Sequence, residues 1–279
     1  MIDQFFIFNN KFYANDSPVV SPSNRGLRYG DGLFETMKSI KGKIINEDFH
    51  FDRLFNGLQL LKFDIPKSFS KEFILKKIKE LCSKNKHNDI ARIRLMIIRG
   101  NGGIFDPENG FPNFVIESWP LSGITELNVN GLIIDLLPGA KKSCDNFSHL
   151  KSNNYLPYVM AGLYAKENKL NDCIVLNSFG RICDSAIANV FLIKGNKIIT
   201  PPLSEGCVAG TMRRWMLEKF NLENYKVLEK KLTEDDLLDA DECFLTNSIF
   251  YMRWVKNFRN KNFTNSSVKK IYNHILQTI

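Results

Sequence analysis

One lysine of this sequence stands in a setting that suits covalent chemistry. Lys151 follows a leucine and precedes a turn-forming Ser-Asn-Asn, and Tyr155 comes four residues later. Burial in an apolar pocket disfavours the charged form of an amine, and a neutral amine condenses with a carbonyl to form a Schiff base. Lys151 is therefore a candidate nucleophile. Any one lysine among 38 Lys and Arg residues is nevertheless more often a solvated surface group.

Three further segments suggest partners for such a lysine. Arg53 lies between apolar positions of a predicted helix over residues 47–62, where a guanidinium can grip a phosphate or simply face solvent. A small-residue loop over residues 206–211 leads into a predicted helix over 212–220. Free N–H groups and the dipole at a helix start attract anions, although a plain connection explains the loop equally well. The third segment, residues 180–191, begins about thirty residues after Lys151 and contains Asp184 and Asn189.

The elements that must position these residues change character along the chain. In the first part of the chain, the residue pattern predicts hairpins, including one over residues 5–14. It then predicts helices over 47–62 and 70–83 and strands over 91–99 and 114–118. The second part mixes strands and helices. It begins with a strand over 128–137 that Pro138-Gly139 should close, and it includes a helix over 156–167. The sequence contains no G-x-G-x-x-G or Walker loop, which argues against a Rossmann or P-loop fold.

Composition narrows the class of protein. A hydrophobic content of 44% and a charged content of 24% over 279 residues are typical of a soluble globular chain. No apolar run reaches about eighteen residues, so we expect no membrane partner. The N-terminus Met1-Ile2-Asp3-Gln4 has no basic region and no long apolar stretch, so we expect no signal peptide. Six scattered cysteines without a C-x-x-C pair indicate reduced thiols in the cytoplasm and no metal site. The net charge of +8 favours small anionic substrates, and because the lysines are spread out we expect no nucleic-acid partner.

In this order, several segments resemble one family: the fold-type IV enzymes that depend on pyridoxal phosphate. That family includes class IV aminotransferases and 4-amino-4-deoxychorismate lyases, and the resemblance covers nearly the whole chain. The segments that carry it are Tyr29-Gly30-Asp31-Gly32-Leu33-Phe34-Glu35, His50-Phe51-Asp52-Arg53-Leu54, Lys151-Ser152-Asn153-Asn154-Tyr155-Leu156, residues 180–191, Val208-Ala209-Gly210-Thr211-Met212-Arg213 and Phe244-Leu245-Thr246-Asn247-Ser248.

The resemblance implies an α+β fold with two domains. A smaller N-terminal α/β sandwich would span residues 1–119, and residues 120–127 around Trp119-Pro120 would form a linker. A larger C-terminal domain over residues 128–279 would be β-rich and barrel-like, with flanking helices. Pyridoxal 5'-phosphate would lie between the domains. The resemblance also implies a homodimer in which the partner subunit lends loops to the site.

The resemblance assigns the chemistry residue by residue. Lys151 would carry the cofactor as a Schiff base and then move the proton of the substrate Cα. Asp184 would face the pyridine nitrogen, because a carboxylate there keeps that nitrogen protonated. Tyr155 would hydrogen-bond the phenolic oxygen of the cofactor. The remaining implied contacts are to the phosphate (Arg53, Gly210, Thr211, Met212, Ser248), beside the ring (Asn189), and to the substrate (Tyr29, Phe34, Arg99, Asn247).

Two positions depart from the family pattern. The family usually has Glu where Asp184 stands, and Asp is one methylene shorter. Met212 replaces a residue with a hydroxyl, so backbone N–H groups, with Thr211, must bind the phosphate there. These departures leave open a protein of another class, a binding or regulatory protein that has kept the fold and lost the activity.

The resemblance leaves two reactions open. Arg99-Gly100-Asn101-Gly102-Gly103 looks like a segment of the lyases, and Thr246-Asn247-Ser248 also suits them. These features favour a lyase that converts 4-amino-4-deoxychorismate into 4-aminobenzoate and pyruvate for folate synthesis. The alternative is an amino-acid aminotransferase of the branched-chain or D-amino-acid type that uses a 2-oxo acid acceptor. Glycines 100–103 can also serve only to turn the chain.

Overall fold

The computed structural model describes residues 4–122 and 126–279. The described residues form two compact units. The first contains residues up to 122 together with Leu150–Asn154, and the second contains residues 126–149 and Tyr155–Ile279. The predicted linker over 120–127 includes residues 123–125, which lie outside the described residues. The predicted domain boundaries stay a prediction, but the structure groups the segment around Lys151 with the first unit.

The first unit is built on a six-stranded antiparallel sheet whose strands follow the order β2-β1-β6-β5-β3-β4. The strands are β1 (Phe5–Phe8), β2 (Lys11–Ala14), β3 (Gly32–Ile40), β4 (Lys43–Ile44), β5 (Ile90–Arg99) and β6 (Pro112–Pro120). The helices are α1 (Arg25–Tyr29), α2 (Glu47–Leu60) and α3 (Lys71–Asn85).

One face of this sheet forms the core of the first unit. Alternate residues of β5, from Ala91 to Ile97, are fully buried, whereas the intervening side chains are only partly buried. The buried face packs with apolar residues of α2 and α3, such as Leu58 and Ile78, and with Leu150. Because side chains of a strand alternate between faces, the intervening residues lie on the opposite face of the sheet.

The second unit is built on a mixed nine-stranded sheet with the order β12-β11-β10-β13-β14-β7-β8-β9, and β15 pairs with β14. Its strands are β7 (Leu132–Lys142), β8 (Asp172–Asn177), β9 (Ile182–Ser185), β10 (Asn189–Lys194), β11 (Lys197–Thr200), β12 (Lys226–Glu229), β13 (Glu242–Asn247), β14 (Tyr251–Phe258) and β15 (Lys261–Asn262). Its helices are α4 (Leu156–Glu167), α5 (Thr211–Glu218), α6 (Glu234–Asp239) and α7 (Ser266–Thr278).

The predicted α+β class is confirmed, but some elements differ from their predictions. The strand predicted over 128–137 begins at Leu132 and continues past Pro138 to Lys142. It does so because Gly139 adopts a left-handed conformation (φ +74°) and the pairing with β8 shifts register at this point. The prediction that Pro138-Gly139 closes the strand was therefore wrong.

Helix α1 and strand β9 are among the short elements that went unpredicted. Helix α1 lies in a stretch where no helix was predicted, and it begins where the Asn24 side chain accepts hydrogen bonds from the N–H groups of Gly26 and Leu27. Strand β9 lies in the segment 180–191, in which no strand was predicted before Val190. No helix among the described residues has the length and apolar character needed to cross a membrane.

Candidate active site

Lys151 is held in the first unit by backbone pairing with β3. Its carbonyl oxygen accepts a hydrogen bond from Phe34 N at 2.9 Å, and Asn153 N donates to Gly32 O at 3.0 Å. Strand β4 pairs with β3 only at its far end, at Ser39 and Ile40, which leaves this edge for the lysine segment. The pairing fixes the backbone at Lys151 relative to the sheet.

The Lys151 amine lies against an aromatic ring. Its Nζ is 4.3 Å from the ring centroid of Phe34, a side chain that is 6% exposed. The Cζ of Arg94 is 4.6 Å from the same centroid, and cations favour such positions over aromatic faces. The structure thus brings the predicted catalytic Lys151 to the predicted substrate residue Phe34 and adds Arg94, which the sequence did not suggest.

Two glycines of the segment 29–35 permit this close approach. Gly30 has φ +65°, and a Cβ added to it would lie 2.4 Å from Asn154 Oδ1. A Cβ on Gly32 would lie 2.1 Å from the carbonyl oxygen of Ile97 and 2.5 Å from Asn153 Nδ2. Larger residues would force the segment that carries Lys151 away from the sheet.

Arg53 is anchored by a buried acid. Its Nε donates to Glu35 Oε1 at 2.8 Å, and its Nη2 donates to Glu35 Oε2. His50 Nδ1 lies 2.6 Å from the same Oε2, and His50 Nε2 has no partner among the described residues. Burial alone would raise the pKa of Glu35, but the Arg53 charge and the His50 hydrogen bond lower it to about 2. Burial lowers the pKa of His50, so Arg53 faces an ionised Glu35 that a neutral His50 orients.

Arg99 and Tyr29 occupy different settings near α1. The guanidinium of Arg99 donates to Asp31 at 2.9 Å and to the carbonyl oxygens of Leu61 and Lys62 at the end of α2. Tyr29 is 38% exposed. The Arg99 guanidinium therefore ties the loop at Asp31 to the end of a helix, while Tyr29 keeps an accessible ring.

Asp184 lies in the second unit at the centre of a buried hydrogen-bond network. Its Oδ2 accepts from Tyr158 Oη at 2.6 Å and from Val208 N at 2.9 Å, and Lys142 Nζ lies 3.5 Å away. Its Oδ1 accepts from Asn189 Nδ2 at 2.9 Å. Burial and the adjacent Asp184 charge raise the pKa of Tyr158 well above its ordinary value, so this hydroxyl stays protonated and donates. The Asp184 carboxylate, one methylene shorter than that of Glu, is thus surrounded by hydrogen-bond donors that are fixed in place.

Tyr155 and Asn189 are close neighbours of this network. The Tyr155 ring lies against the Tyr158 ring with centroids 4.3 Å apart, at the start of α4. Asn189 Nδ2 also donates to Val208 O at 2.8 Å, so its amide links Asp184 to the loop at 208. The structure therefore brings Tyr155, Asp184 and Asn189 together within the second unit.

The loop predicted to bind a phosphate leads into α5. The helix begins at Thr211 with Gly210 as its N-cap, one residue earlier than the sequence suggested. A Cβ on Gly210 would lie 1.9 Å from Asn189 Oδ1, so only glycine fits there. The side chains of Thr211 and Met212 are buried. The first N–H groups of α5 therefore follow a glycine that contacts the Asp184 network.

Asn247 is the last residue of β13, and Ser248 follows it in the turn before β14. The Asn247 Oδ1 accepts from the N–H groups of Ile249 and Phe250, and its Nδ2 donates to Ile187 O at 3.2 Å. Ser248 lies inside this turn. Asn247 thus fixes the backbone around Ser248 through its own side chain.

Sequence reasoning missed four residues that organise these groups. Glu35 and His50 fall within quoted motifs but received no role, and the i, i+3 spacing of His50 and Arg53 on a predicted helix was the available signal. Tyr158 shares the same spacing with Tyr155. Lys142 had no signal, because only the irregular β7 brings it to Asp184. In the described part of the chain, no group of His, Cys, Asp and Glu side chains could hold a metal ion.

The known proteins that are similar to this chain include aminotransferases and aminodeoxychorismate lyases. The family model for amino-transferase class IV matches residues 32–258. A putative branched-chain-amino-acid aminotransferase of Methanocaldococcus jannaschii is 30% identical over 250 residues, which cover 86% of this chain and 83% of that protein. An aminodeoxychorismate lyase of Bacillus subtilis is 30% identical over 254 residues, which cover 86% of this chain and 82% of that protein.

A solved structure supports the fold. The branched-chain amino acid aminotransferase of Escherichia coli superposes with a TM-score of 0.86 at 20% identity, covering 99% of this chain and 94% of that chain. The family model spans most of the chain, and the relatives of both names align over more than four fifths of it. This chain therefore belongs to the class IV aminotransferases, which are a family of enzymes.

Proposed function

We propose that this chain is a pyridoxal-phosphate-dependent lyase that converts 4-amino-4-deoxychorismate into 4-aminobenzoate and pyruvate, a reaction of folate synthesis. The observation that carries the proposal is the fixed position of Lys151, whose backbone pairs with β3 and whose Nζ lies 4.3 Å from the Phe34 ring centroid. A lysine whose amine is free in solvent would not lie against a ring that is 6% exposed. Similarity to the aminodeoxychorismate lyase of Bacillus subtilis supports the reaction class.

The residues present fit pyridoxal phosphate. A carboxylate oxygen accepts about two hydrogen bonds, and Asn189 is the one donor to Asp184 Oδ1 among the described residues. Oδ1 can therefore accept the N–H of a pyridine ring. Gly210 makes room for the Asn189 amide, and the first N–H groups of α5, which follow it, are a natural position for a phosphate. When bound, the cofactor supplies a reactive aldehyde carbon and an electron-withdrawing ring.

Three residues would act on the cofactor ring and the reacting atom. Lys151 Nζ would hold the cofactor covalently and would take the proton from the substrate carbon that bears the amine. Asp184 would keep a proton on the pyridine nitrogen, and its fixed donors hold the carboxylate in place for that purpose. Tyr155, stacked on Tyr158, would donate to the phenolic oxygen.

The other proposed contacts divide between phosphate and substrate. Arg53 would bind the phosphate while Glu35 fixes the guanidinium plane, an arrangement that suits bidentate recognition. The phosphate would also meet the start of α5 at Gly210, Thr211 and Met212, and the Ser248 turn that Asn247 fixes. Tyr29 and Phe34 would contact the substrate, and Arg99 would hold the loop at Asp31 in place beside it.

The lyase reaction needs no second substrate. Proton removal by Lys151 allows the C–O bond to the enolpyruvyl group to break, and the atoms of the substrate are fully divided between 4-aminobenzoate and pyruvate. The alternative is an amino-acid aminotransferase, which requires a 2-oxo acid to take up the amino group. Similarity to the putative aminotransferase of Methanocaldococcus jannaschii favours that second candidate.

One assay separates the two reactions. Purified protein incubated with pyridoxal phosphate is mixed with 4-amino-4-deoxychorismate without any 2-oxo acid, and 4-aminobenzoate and pyruvate are measured. We expect equal amounts of both products, no product with Lys151→Ala, and normal turnover with Lys166→Ala, which removes an exposed lysine of α4. Strict dependence on 2-oxoglutarate would establish the aminotransferase instead. If the wild type catalyses neither reaction, the proposal that this chain is an active enzyme of either type is wrong.

We also propose that the enzyme is a cytoplasmic homodimer. The cysteines at 82, 144, 173, 183, 207 and 243 are all free thiols, which suits a reducing compartment.

Helix α4 exposes an apolar stripe of Leu156, Val159, Met160 and Leu163 at helical spacing, and such a stripe favours burial against another surface. We expect light scattering to give a dimer for the wild type and a monomer for Val159→Glu. A monomeric wild type would contradict the dimer.

A further inference from the structure

Lys142 is a largely buried cation at the end of the irregular strand β7. Its side chain is 11% exposed, whereas lysine side chains are rarely buried unless they are paired. The pairing of β7 with β8 shifts register after Leu136 and resumes at Lys141 and Lys142, which lie opposite Leu176 and Asn177. Because burying a charge is costly without a partner, the contacts of this amine show what the irregularity of the strand achieves.

The Lys142 amine contacts a buried tyrosine and a buried acid within the second unit. Its Nζ donates to Tyr158 Oη at 2.5 Å and lies 3.5 Å from Asp184 Oδ2. Tyr158 Oη lies 2.6 Å from the same carboxylate oxygen, and the two residues are 5% and 2% exposed. Among the described residues, Lys142 is the one cation within 4.0 Å of Asp184. It is therefore the countercharge of this acid.

The direction of these hydrogen bonds follows from the protons that each group carries. A lysine ammonium only donates, so the Tyr158 oxygen must accept from Lys142. The single hydroxyl proton of Tyr158 is then left to donate to the Asp184 carboxylate, which only accepts. Burial and the Asp184 charge raise the pKa of Tyr158 well above its ordinary value, so this proton stays in place. The three groups thus form a chain of donors from Lys142 through Tyr158 to Asp184.

The chain of donors ends on one of the two oxygens of Asp184. Oδ2 accepts from Tyr158 Oη and from Val208 N, with Lys142 Nζ beside it, whereas Oδ1 accepts from Asn189 Nδ2. A hydrogen bond that begins at a cation is polarised, and this strengthens the next hydrogen bond in the chain. Strong donors on Oδ2 fix the rotation of the carboxylate and leave Oδ1 able to accept one more N–H group.

A cation on the Oδ2 side of Asp184 decides where a proton shared at Oδ1 will lie. When a basic nitrogen meets a carboxyl group, one proton can reside on either of them. Attraction to Lys142 favours the ionised acid, so the shared proton resides on the nitrogen. Without Lys142 the buried carboxylate would keep neutral donors alone, and a buried charge without a countercharge is unfavourable. The proton would then be held less firmly on the nitrogen.

We propose that Lys142 is a positioning residue of the candidate active site, and that it acts through Tyr158 to keep Asp184 ionised and oriented toward the pyridine nitrogen of the cofactor. The inference rests on the proposed function only in taking Asp184 as the partner of that nitrogen. It is the same for the lyase and for the aminotransferase, because both reactions need a protonated ring. The observation that carries it is the buried chain with hydrogen bonds of 2.5 Å and 2.6 Å.

The test compares two cofactors that differ only at the ring nitrogen. The full-length protein, freed of cofactor, is titrated with pyridoxal phosphate and with its deaza analogue, in which C–H replaces the ring nitrogen. Lys142→Met should weaken binding of pyridoxal phosphate about tenfold or more, as expected for the loss of a charged hydrogen bond, and should not weaken binding of the analogue. Lys142→Arg keeps the charge and should retain most of the affinity. Lys141→Met, which removes the exposed neighbouring cation, is the matched control and should change neither.

A double variant tests whether Lys142 acts through Tyr158. Tyr158→Phe removes the hydroxyl that links the amine to Asp184 and should itself weaken binding of pyridoxal phosphate. In that background Lys142→Met should cause no further loss of affinity, because residues of one hydrogen-bond network are not additive. A further loss as large as that of Lys142→Met alone would show that Lys142 acts without Tyr158 and would overturn the proposed chain.

The outcomes separate this inference from the proposed function. If Lys142→Met weakens binding of both compounds equally, or of neither, the inference is overturned while cofactor binding by the wild type stands. If Lys142→Met does not fold, as judged by circular dichroism, Lys142→Gln takes its place with the same expected loss. A protein that shows the expected pattern but lacks lyase activity would refute the proposed reaction and retain the inference. A wild type that binds neither compound would refute both.

Discussion

Asp172→Asn should change the way stability depends on pH. Asp172 begins β8, the strand that pairs with β9 and so places Asp184 opposite Val175. The side chain is 5% exposed and accepts hydrogen bonds from Ser185 Oγ at 3.0 Å and from Ala186 N at 3.0 Å. Burial raises the pKa of Asp172 from 3.8 to about 6, because these hydrogen bonds only partly offset the loss of water.

The sign of the effect follows from proton binding. Between pH 3.8 and about 6 the folded state keeps the Asp172 proton, whereas the unfolded chain loses it. The free energy of unfolding therefore falls as pH rises through this window, and it levels off above about pH 6. A pKa difference of about 2 corresponds to about 3 kcal/mol. Asn is uncharged at every pH, so Asp172→Asn removes this decline.

The assay is urea unfolding of the wild type and of Asp172→Asn at pH values from 4 to 7. The free energy of unfolding of the variant, relative to the wild type, should increase by about 2 kcal/mol between pH 4 and pH 7, because part of the decline lies below pH 4. Asp106→Asn, which neutralises an exposed loop carboxylate, should show no such increase. A relative stability of Asp172→Asn that stays constant, or that decreases with pH, would refute the reasoning.

Three other substitutions test contacts around the proposed site. Glu35→Gln should lower the free energy of unfolding at pH 7 by about 3 kcal/mol, because Arg53 loses the carboxylate that its Nε and Nη2 bind. If urea unfolding shows that this free energy falls by less than about 1 kcal/mol, the reasoning is contradicted. Glu242→Gln should cost about 1 to 2 kcal/mol, because the Glu242 carboxylate accepts two N–H groups at the start of α7, and an unchanged urea midpoint would count against that cap. Tyr158→Phe should cost about 1 to 2 kcal/mol by removing the donor to Asp184, and a more stable variant in the same assay would exclude a useful hydrogen bond there.

The regular elements were predictable because their local patterns agree with their packing. Helix α4 spans the predicted residues 156–167. Ser70, the first residue of the predicted helix 70–83, caps α3, since its Oγ accepts from Phe73 N. The continuation of β7 past Pro138-Gly139 was not predictable. It depends on a register shift against β8, and β8 lies about thirty residues further along the chain.

The site shows the same division between local motif and long-range contact. Lys151, Arg53 and Asp184 were singled out by the motifs around them. The groups that fix them, such as Glu35 on Arg53 and Lys142 near Asp184, come from distant segments, and no local spacing joins those segments. The pairing of the segment around Lys151 with β3 likewise assigns that segment to the first unit, which a linear division of the chain could not anticipate.

The most direct test of the account identifies the residue that holds the cofactor. Purified protein is incubated with pyridoxal phosphate, reduced with borohydride, digested and analysed by mass spectrometry. The account predicts an absorbance band that borohydride abolishes and a phosphopyridoxyl group on Lys151, both absent in Lys151→Ala. A protein that never acquires the band, or a modification that resides on another lysine while Lys151→Ala still acquires the band, would contradict the account.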